Sequence, residues 1–327
     1  MKSPLVSIIT TVYTQDRFKD VTELLDSLAA QSYKNTETLI VAERLPELAE
    51  NIKKYIAEKG YANMRVLFNE GEWGSYPSRN LGIGEAKGDI IAFVDDDALP
   101  FPDWVEQTVK VYGEDSSIIG VTGPILPLWQ GKSMDWFPWE LYWIFSCSYW
   151  EAAGRVEVRN GFCTNLSFRR EAFDKCGWFK SSLVGEGWGK SDWQQPAAQE
   201  TEFCLRVRKS TGKLIVHDPE VRVRHKVYSY RLGSRFLARR GYWEGYAKAM
   251  LKHWYQPYAG EVLSTEYKLL RYVLLKLLWR TVGRLFRQPA TAGRQLWALL
   301  VVLSGVAGGY LSYSCSSLFR RGESGGG

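Results

Sequence analysis

The sequence has no CxxC pair, and none of its five cysteines (Cys147, Cys163, Cys176, Cys204, Cys315) stands at zinc spacing from a histidine. A structural zinc site is therefore excluded, and the cysteines read as reduced thiols of a cytosolic compartment. No glycine-rich phosphate loop follows the first apolar stretch, which ranks a nucleotidyltransferase low. Met1-Lys2-Ser3-Pro4 runs directly into that stretch, so no signal peptide is expected. Positive charge in excess, +6 over 327 residues, gathers in the last quarter of the chain. That placement points to an anionic surface there and away from nucleic-acid binding.

Enough apolar residue is present, 45% of the chain with 14% aromatic, for one large domain or one domain plus an appendage. Strand and helix patterns alternate from the start. Val6 to Tyr13, Thr38 to Val41 and Met64 to Phe68 read as buried strands, and Ile118 to Ile125 as a later one. Between them lie a helix on Val21, Leu24, Leu25 and Leu28, a second opened by Pro46 and stopped by Gly60, and a third from Ser78 to Lys87 capped by Gly88. Pro102 and Asp103 begin a fourth. This order implies right-handed crossovers and a doubly wound, mostly parallel α/β sheet.

Asp95-Asp96-Asp97 follows the apolar run Ile90 to Val94 directly. Open α/β sheets bind ligands at the carboxyl ends of their strands, here Thr11 to Thr14, Glu43 and Asp95 to Asp97. Adjacent carboxylates repel, and a Mg²⁺ or Mn²⁺ ion bridging to nucleotide phosphates would relieve the repulsion. A solvated acidic turn is the plain alternative.

Further on, Trp129, Trp136, Phe137, Trp139, Tyr142, Trp143, Phe145, Tyr149 and Trp150 crowd an aperiodic stretch. Core packing and a sugar-stacking or membrane-interface surface fit it equally. Leu183 to Ala198 reads as a lid or a surface loop. A helix from about Glu200 to Lys209 ends near Gly212, and Val221, Val223 and His225 then share one strand face.

The tail changes character. From Lys268, basic residues (Lys276, Arg280, Arg284, Arg287) flank a leucine stripe, as in an amphipathic helix on an anionic membrane, with a soluble packed helix as the alternative. Pro289 ends it. Gln295 to Phe319 carries no charge and is long enough for one span, a soft one given Gly305, Gly308 and Gly309. The basic cluster places the catalytic part on the cytoplasmic side of the cell membrane. The expected division is 1–255 catalytic, 256–292 membrane surface, 293–319 transmembrane or embedded, and 320–327 a flexible tail.

The chain resembles family 2 glycosyltransferases of the GT-A fold. The likeness is carried by Ser7 to Tyr13, Ser78-Arg79-Asn80-Leu81-Gly82, Gly88 to Ala98, Asn165 to Arg170 and Glu200 to Arg206, and covers about residues 4 to 250. Within that family it is similar to archaeal enzymes that extend dolichyl-phosphate-linked sugars, the glucosyl-dolichyl-phosphate glucuronosyltransferase type. The narrower pointers are Pro127 to Trp129, Trp136 to Pro138, Arg159-Asn160 and Arg239 to Lys248.

The resemblance implies a metal held by Asp97 and Asp95, with His225 completing the site, and Asp96 turned toward the ribose or sugar. Thr11, Tyr13 and Glu43 would grip the nucleoside, and Arg79 would support the donor. Glu200 falls at the general-base position, with Glu202 in reserve; without the likeness, both are ordinary acids of a helix's first turn. Glu43 stands where aspartate is usual, Gln199 replaces an acid beside the base, and Cys163 replaces a small glycine. The implied reaction is metal-dependent inverting transfer from a UDP-sugar or other nucleotide sugar to a lipid-linked sugar acceptor. A transferase for a polysaccharide or protein, and an inactive nucleotide-sugar-binding subunit, are the alternatives. Arg79, Arg159, Arg169 and Arg170 are offered as partners for a uronate carboxylate, should the transferred sugar be glucuronic acid.

Overall fold

Strand β1 (Val6–Val12) is buried along almost its whole length, and its side chains serve two cores because they alternate between the faces of a sheet. The computed structural model describes residues 3–148, 154–180, 198–255 and 262–323. Two units emerge: residues 1–128, 146–183 and 199–226 form one, and 129–145, 184–198 and 227–327 the other. The sequence reading for Leu183 to Ala198 falls outside the described residues except for Ala198, and Tyr149 and Trp150 lie outside them too.

In the first unit the chain continues through α1 (Phe18–Ala29), β2 (Thr36–Glu43), α2 (Pro46–Lys59), β3 (Met64–Asn69), α3 (Ser75–Glu85) and β4 (Ile90–Phe93). Next come β5 (Ala98–Pro100), α4 (Trp104–Glu114), β6 (Ile118–Thr122), β7 (Ile125–Gln130), β8 (Val156–Glu157), β9 (Leu166–Arg169), α5 (Arg170–Cys176), α6 (Gln199–Thr211), β10 (Leu214–His217) and β11 (Val223–Tyr228). Eight strands order as β3-β2-β1-β4-β9-β6-β10-β8, and β5-β11-β7 make a small second sheet. Val6, Ile8, Ile40 and Ala92 face one way, onto Leu24, Leu25, Ile52 and Trp104. Ile9, Leu39, Val41, Ile91 and Phe93 face the other, onto Ile83, Phe173 and Phe203. Each fully buried aliphatic contributes about 1.5–3 kcal/mol.

The sheet is mostly parallel, as expected: six of its eight strands share one direction, while β9 runs antiparallel to both β4 and β6 and β8 antiparallel to β10. Two other expectations are corrected. The stretch Ile118 to Ile125 is two strands, because Pro124 has no N–H to continue a ladder and Gly123 lies so close to Val221 that a Cβ there would meet its carbonyl oxygen at 1.9 Å. Gly88 does not cap α3, which ends at Glu85. A Cβ on Gly88 would come within 2.5 Å of the Ser7 nitrogen, so this glycine is needed where the chain presses against β1. By contrast Gly60 does stop α2, in the left-handed conformation at φ 70°.

The second unit holds α7 (Ser234–Trp254), α8 (Ser264–Tyr272), a π turn at Val273–Leu277, α9 (Leu278–Arg284) and α10 (Pro289–Glu323). Much of the aromatic stretch is core here: Phe137, Leu141, Ile144 and Phe145 are buried, and Phe145 stacks on Phe236 of α7. α10 is long and apolar enough to cross a membrane over Pro289–Ser317. Two of its glycines are contact points. Gly305 and Gly309 lie against the backbone of Ala238 and Tyr242, while Gly241 and Gly245 of α7 lie against Val302 and Val306. Four absent side chains let the two helix backbones touch.

Candidate active site

The turn after β4 and the start of β11 bring Asp95, Asp97 and His225 together, with one potential ligand atom from each lying within 4.8 Å of the others. β11 is held against β5 in antiparallel register, His225 opposite Ala98, which fixes the histidine beside the acidic turn. Its Nε2 lies 3.1 Å from Asp97 Oδ1, and its Nδ1 faces the Cys147 sulfur at 3.6 Å. Burial alone disfavours the imidazolium, but the Asp97 carboxylate beside it overrides this and lifts the pKa to about 10. The other Asp97 oxygen, Oδ2, accepts from Arg17 at 2.8 Å.

Asp95 is tied on its opposite side. Arg79 on α3 donates to Oδ1 at 2.8 Å, and the Thr164 hydroxyl donates to Oδ2 at 2.5 Å. The Arg79 guanidinium also lies 5.1 Å from the centre of the Tyr76 ring, and the Tyr76 hydroxyl donates to Glu200 Oε2 at 2.5 Å. Burial, with Glu200 as neighbour, pushes the Tyr76 phenol far up, so it stays a donor. Glu200 in the first turn of α6 is thus linked through Tyr76 and Arg79 to the acidic turn.

Asp96 is buried at 7% exposure, and its Oδ2 has no hydrogen-bond partner among the described residues. Burial and the adjoining Asp97 raise its pKa strongly. An orphaned carboxylate oxygen beside two hard oxygen donors and one imidazole suits a divalent ion such as Mg²⁺ or Mn²⁺ with a polar ligand next to it. The donor set fits the implied metal.

The remaining expected residues are placed as follows. Thr11 of β1 pairs with Val41 of β2, and Tyr13 is exposed just past β1. Glu43 ends β2; its Oε1 accepts from the Gly74 N–H at 2.6 Å, where α3 begins. Glu202 is not a reserve base: it is 1% exposed and bound bidentately by Arg206, both bonds at 2.9 Å, with Lys180 at 3.1 Å. Arg169 and Arg170 are occupied by backbone carbonyls, those of Ile118 and Tyr112 and those of Gly88 and Ala86. Arg17, Tyr76 and Thr164 were missed, since each meets its partner across at least 69 positions. Only the proximity of Tyr76 to Arg79 in sequence hinted at any of them.

A family profile described as Glycosyl transferase family 2 matches residues 7–177. The chain belongs to that family, and it is a glycosyltransferase. It is 28% identical over 310 residues, 94% of its own length and 95% of the other's, to a glucosyl-dolichyl phosphate glucuronosyltransferase of Haloferax volcanii. The glycosyltransferase AglE of the same organism is 29% identical over 120 residues, 36% of this chain and 38% of that one. Among solved structures, the mannosyltransferase PcManGT of Pyrobaculum calidifontis, in complex with GDP-Man and Mn²⁺, superposes with a TM-score of 0.62 at 15% identity, covering 94% of this chain and 88% of that one. The structure of GalNAc-T7 with UDP, GalNAc and Mn²⁺ gives 0.54 at 15% identity, over 82% and 54%. The fold of this glycosyltransferase is GT-A.

Proposed function

We propose that this glycosyltransferase moves a sugar, glucuronic acid in the first instance, from a UDP-sugar or other nucleotide-diphosphate donor to a dolichyl-phosphate-linked sugar, with inversion. The observation that carries this reading is the likeness to the Haloferax enzyme along nearly the whole of both chains. The transfer itself rests on the linked residues around Glu200 and Asp95. Bound at Asp95, Asp97 and His225, a divalent cation would neutralise charge on the departing diphosphate.

The chain's own groups do the rest. Glu200 takes the proton of the acceptor hydroxyl as that oxygen attacks the anomeric carbon. Tyr76 holds Glu200 by the 2.5 Å bond to Oε2, leaving Oε1 to face the acceptor. Arg79 fixes the Asp95 carboxylate and adds positive charge where the diphosphate would lie. Thr11, Tyr13 and Glu43 line the nucleoside end, and Asp96 offers its orphaned oxygen to the ribose or sugar. One attack from the face opposite the leaving group gives inversion.

The division into a catalytic segment 1–255, a membrane-surface segment 256–292, an embedded helix 293–319 and a tail 320–327 belongs to the same reading. So does a cytoplasmic catalytic unit attached to the cell membrane. The test incubates the full chain with labelled UDP-glucuronic acid and glucosyl-dolichyl phosphate, with Mn²⁺ or with a chelator, and extracts into organic solvent. Label entering the organic phase only with metal supports the reading. Label confined to water-soluble polymer or protein overturns the acceptor assignment, and nucleotide binding without turnover overturns the enzymatic one.

A further inference from the structure

The imidazole of His225 is engaged at both ring nitrogens, and on the side away from the acidic turn it meets a thiol. Nε2 faces Asp97 Oδ1 at 3.1 Å, while Nδ1 lies 3.6 Å from the Cys147 sulfur. Cys147 is fully buried and His225 is 2% exposed, so bulk water does not serve that edge of the ring. The two residues stand 78 positions apart, and the chain bends sharply to bring them together. Ser146 takes φ 57°, and with Arg44 it is one of two residues other than glycine in the left-handed region among the described residues. The Cβ of a serine disfavours that conformation, which persists where the surroundings enforce it. Directly afterwards, the Ser148 carbonyl accepts from the Ile125 N–H at 2.8 Å, and the Ser148 N–H donates to the Ile125 carbonyl at 3.0 Å. Cys147 is thus clamped between a strained residue and a two-bond bridge, with its sulfur against the ring.

A neutral imidazole that turns the lone pair of Nε2 to a cation carries its hydrogen on Nδ1, and a buried N–H needs an acceptor. The sulfur of a thiol is a weak acceptor and its S–H a weak donor, so Cys147 can meet Nδ1 whichever way the hydrogen lies. Turning the ring over would break this contact and carry Nε2 away from Asp97.

We propose that Cys147 is a positioning residue of the metal site, its thiol holding the His225 ring with Nε2 toward the cation. It acts through His225. The proposal rests on the reading above in which Asp95, Asp97 and His225 hold a divalent ion.

The test titrates full-length Cys147→Ser, Cys147→Val and Cys147→Ala chains with Mn²⁺ alone, beside the unmodified chain and His225→Gln, and follows the paramagnetic resonance signal of the free ion. Serine keeps a group that can bond to Nδ1, whereas valine fills the space without one; alanine, the smaller change, serves where valine is not accommodated. Affinity about 10–100-fold weaker in Cys147→Val and Cys147→Ala, but within about threefold of the unmodified chain in Cys147→Ser, is the expected result. Spin-echo modulation from the imidazole nitrogen should persist in Cys147→Ser and diminish in Cys147→Ala. A ranking by bulk, with valine near the unmodified chain and serine as weak as alanine, would make Cys147 a packing residue and overturn the inference. Unchanged affinity in all three variants alongside a loss in His225→Gln would overturn it too, and would leave the metal reading intact. No Mn²⁺ uptake by the unmodified chain, or equal uptake by His225→Gln, would overturn the metal reading and this inference with it.

Discussion

The Tyr76 hydroxyl donates a 2.5 Å hydrogen bond to Glu200 across 124 positions of sequence. A base must be held toward its substrate, and this bond uses one carboxylate oxygen and leaves the other. Glu200→Gln is therefore expected to lower kcat by about 10²–10⁴-fold while the nucleotide still binds. Tyr76→Phe keeps the ring beneath Arg79 and removes only the donor, so it should lower kcat about tenfold with little change in donor KM. Steady-state kinetics on the two variants checks both. Unchanged turnover in Glu200→Gln would remove Glu200 from the chemistry.

His225 sets a pH dependence with a definite sign. Its pKa in the folded chain is about 10, against about 6.5 when unfolded. The folded state therefore binds the proton more tightly. The Asp97–His225 contribution is fully present below pH 6.5 and fades as pH rises from there through about 10. Thermal melts of the metal-free protein should fall across that window, and His225→Gln should flatten the fall. A bound cation needs a neutral imidazole, so Mn²⁺ uptake should release a proton, read by calorimetry in buffers of different ionisation heat.

The seam between α7 and α10 gives a stability test. A Cβ on Gly245 would meet the Val306 carbonyl oxygen at 2.0 Å, while one on Gly283 of α9 meets nothing within 4 Å. Gly245→Ala must push two backbones apart and should cost about 1–3 kcal/mol. Gly283→Ala removes backbone freedom from the unfolded chain and should add up to about 1 kcal/mol. Melting temperatures of the full-length variants moving in opposite directions is the expected outcome.

Local signals carried most of the fold. The run Ile90 to Phe93, the Pro46 and Gly60 boundaries of α2, and the acidic turn after β4 are all readable within a few residues. What escaped depends on partners far away. Leu166-Ser167-Phe168 has too few residues to reveal a strand, and its antiparallel direction comes from sitting between β4 and β6. Arg17 looks like any charged residue beside a helix start; nothing near it in sequence marks its bond to the Asp97 carboxylate, 80 positions on. Glu202 shows the reverse error, since a carboxylate in a helix's first turn carries no mark of the bidentate arginine that occupies it.

Recognition of a uronate gives the last test. Of the four arginines suggested by the sequence, Arg169 and Arg170 are held on backbone carbonyls, Arg79 is held on Asp95, and Arg159, half-buried just past β8, has its Nε on the Asn160 side-chain oxygen at 2.9 Å. A charge-assisted bond from an arginine to the sugar carboxylate contributes about 1.5–3 kcal/mol. With Arg159 as that arginine, Arg159→Gln lowers kcat/KM for UDP-glucuronic acid by about 10–100-fold and leaves that for UDP-glucose nearly unchanged. Equal losses with both donors would assign Arg159 to the diphosphate or to the fold, and the sugar carboxylate would need a different partner.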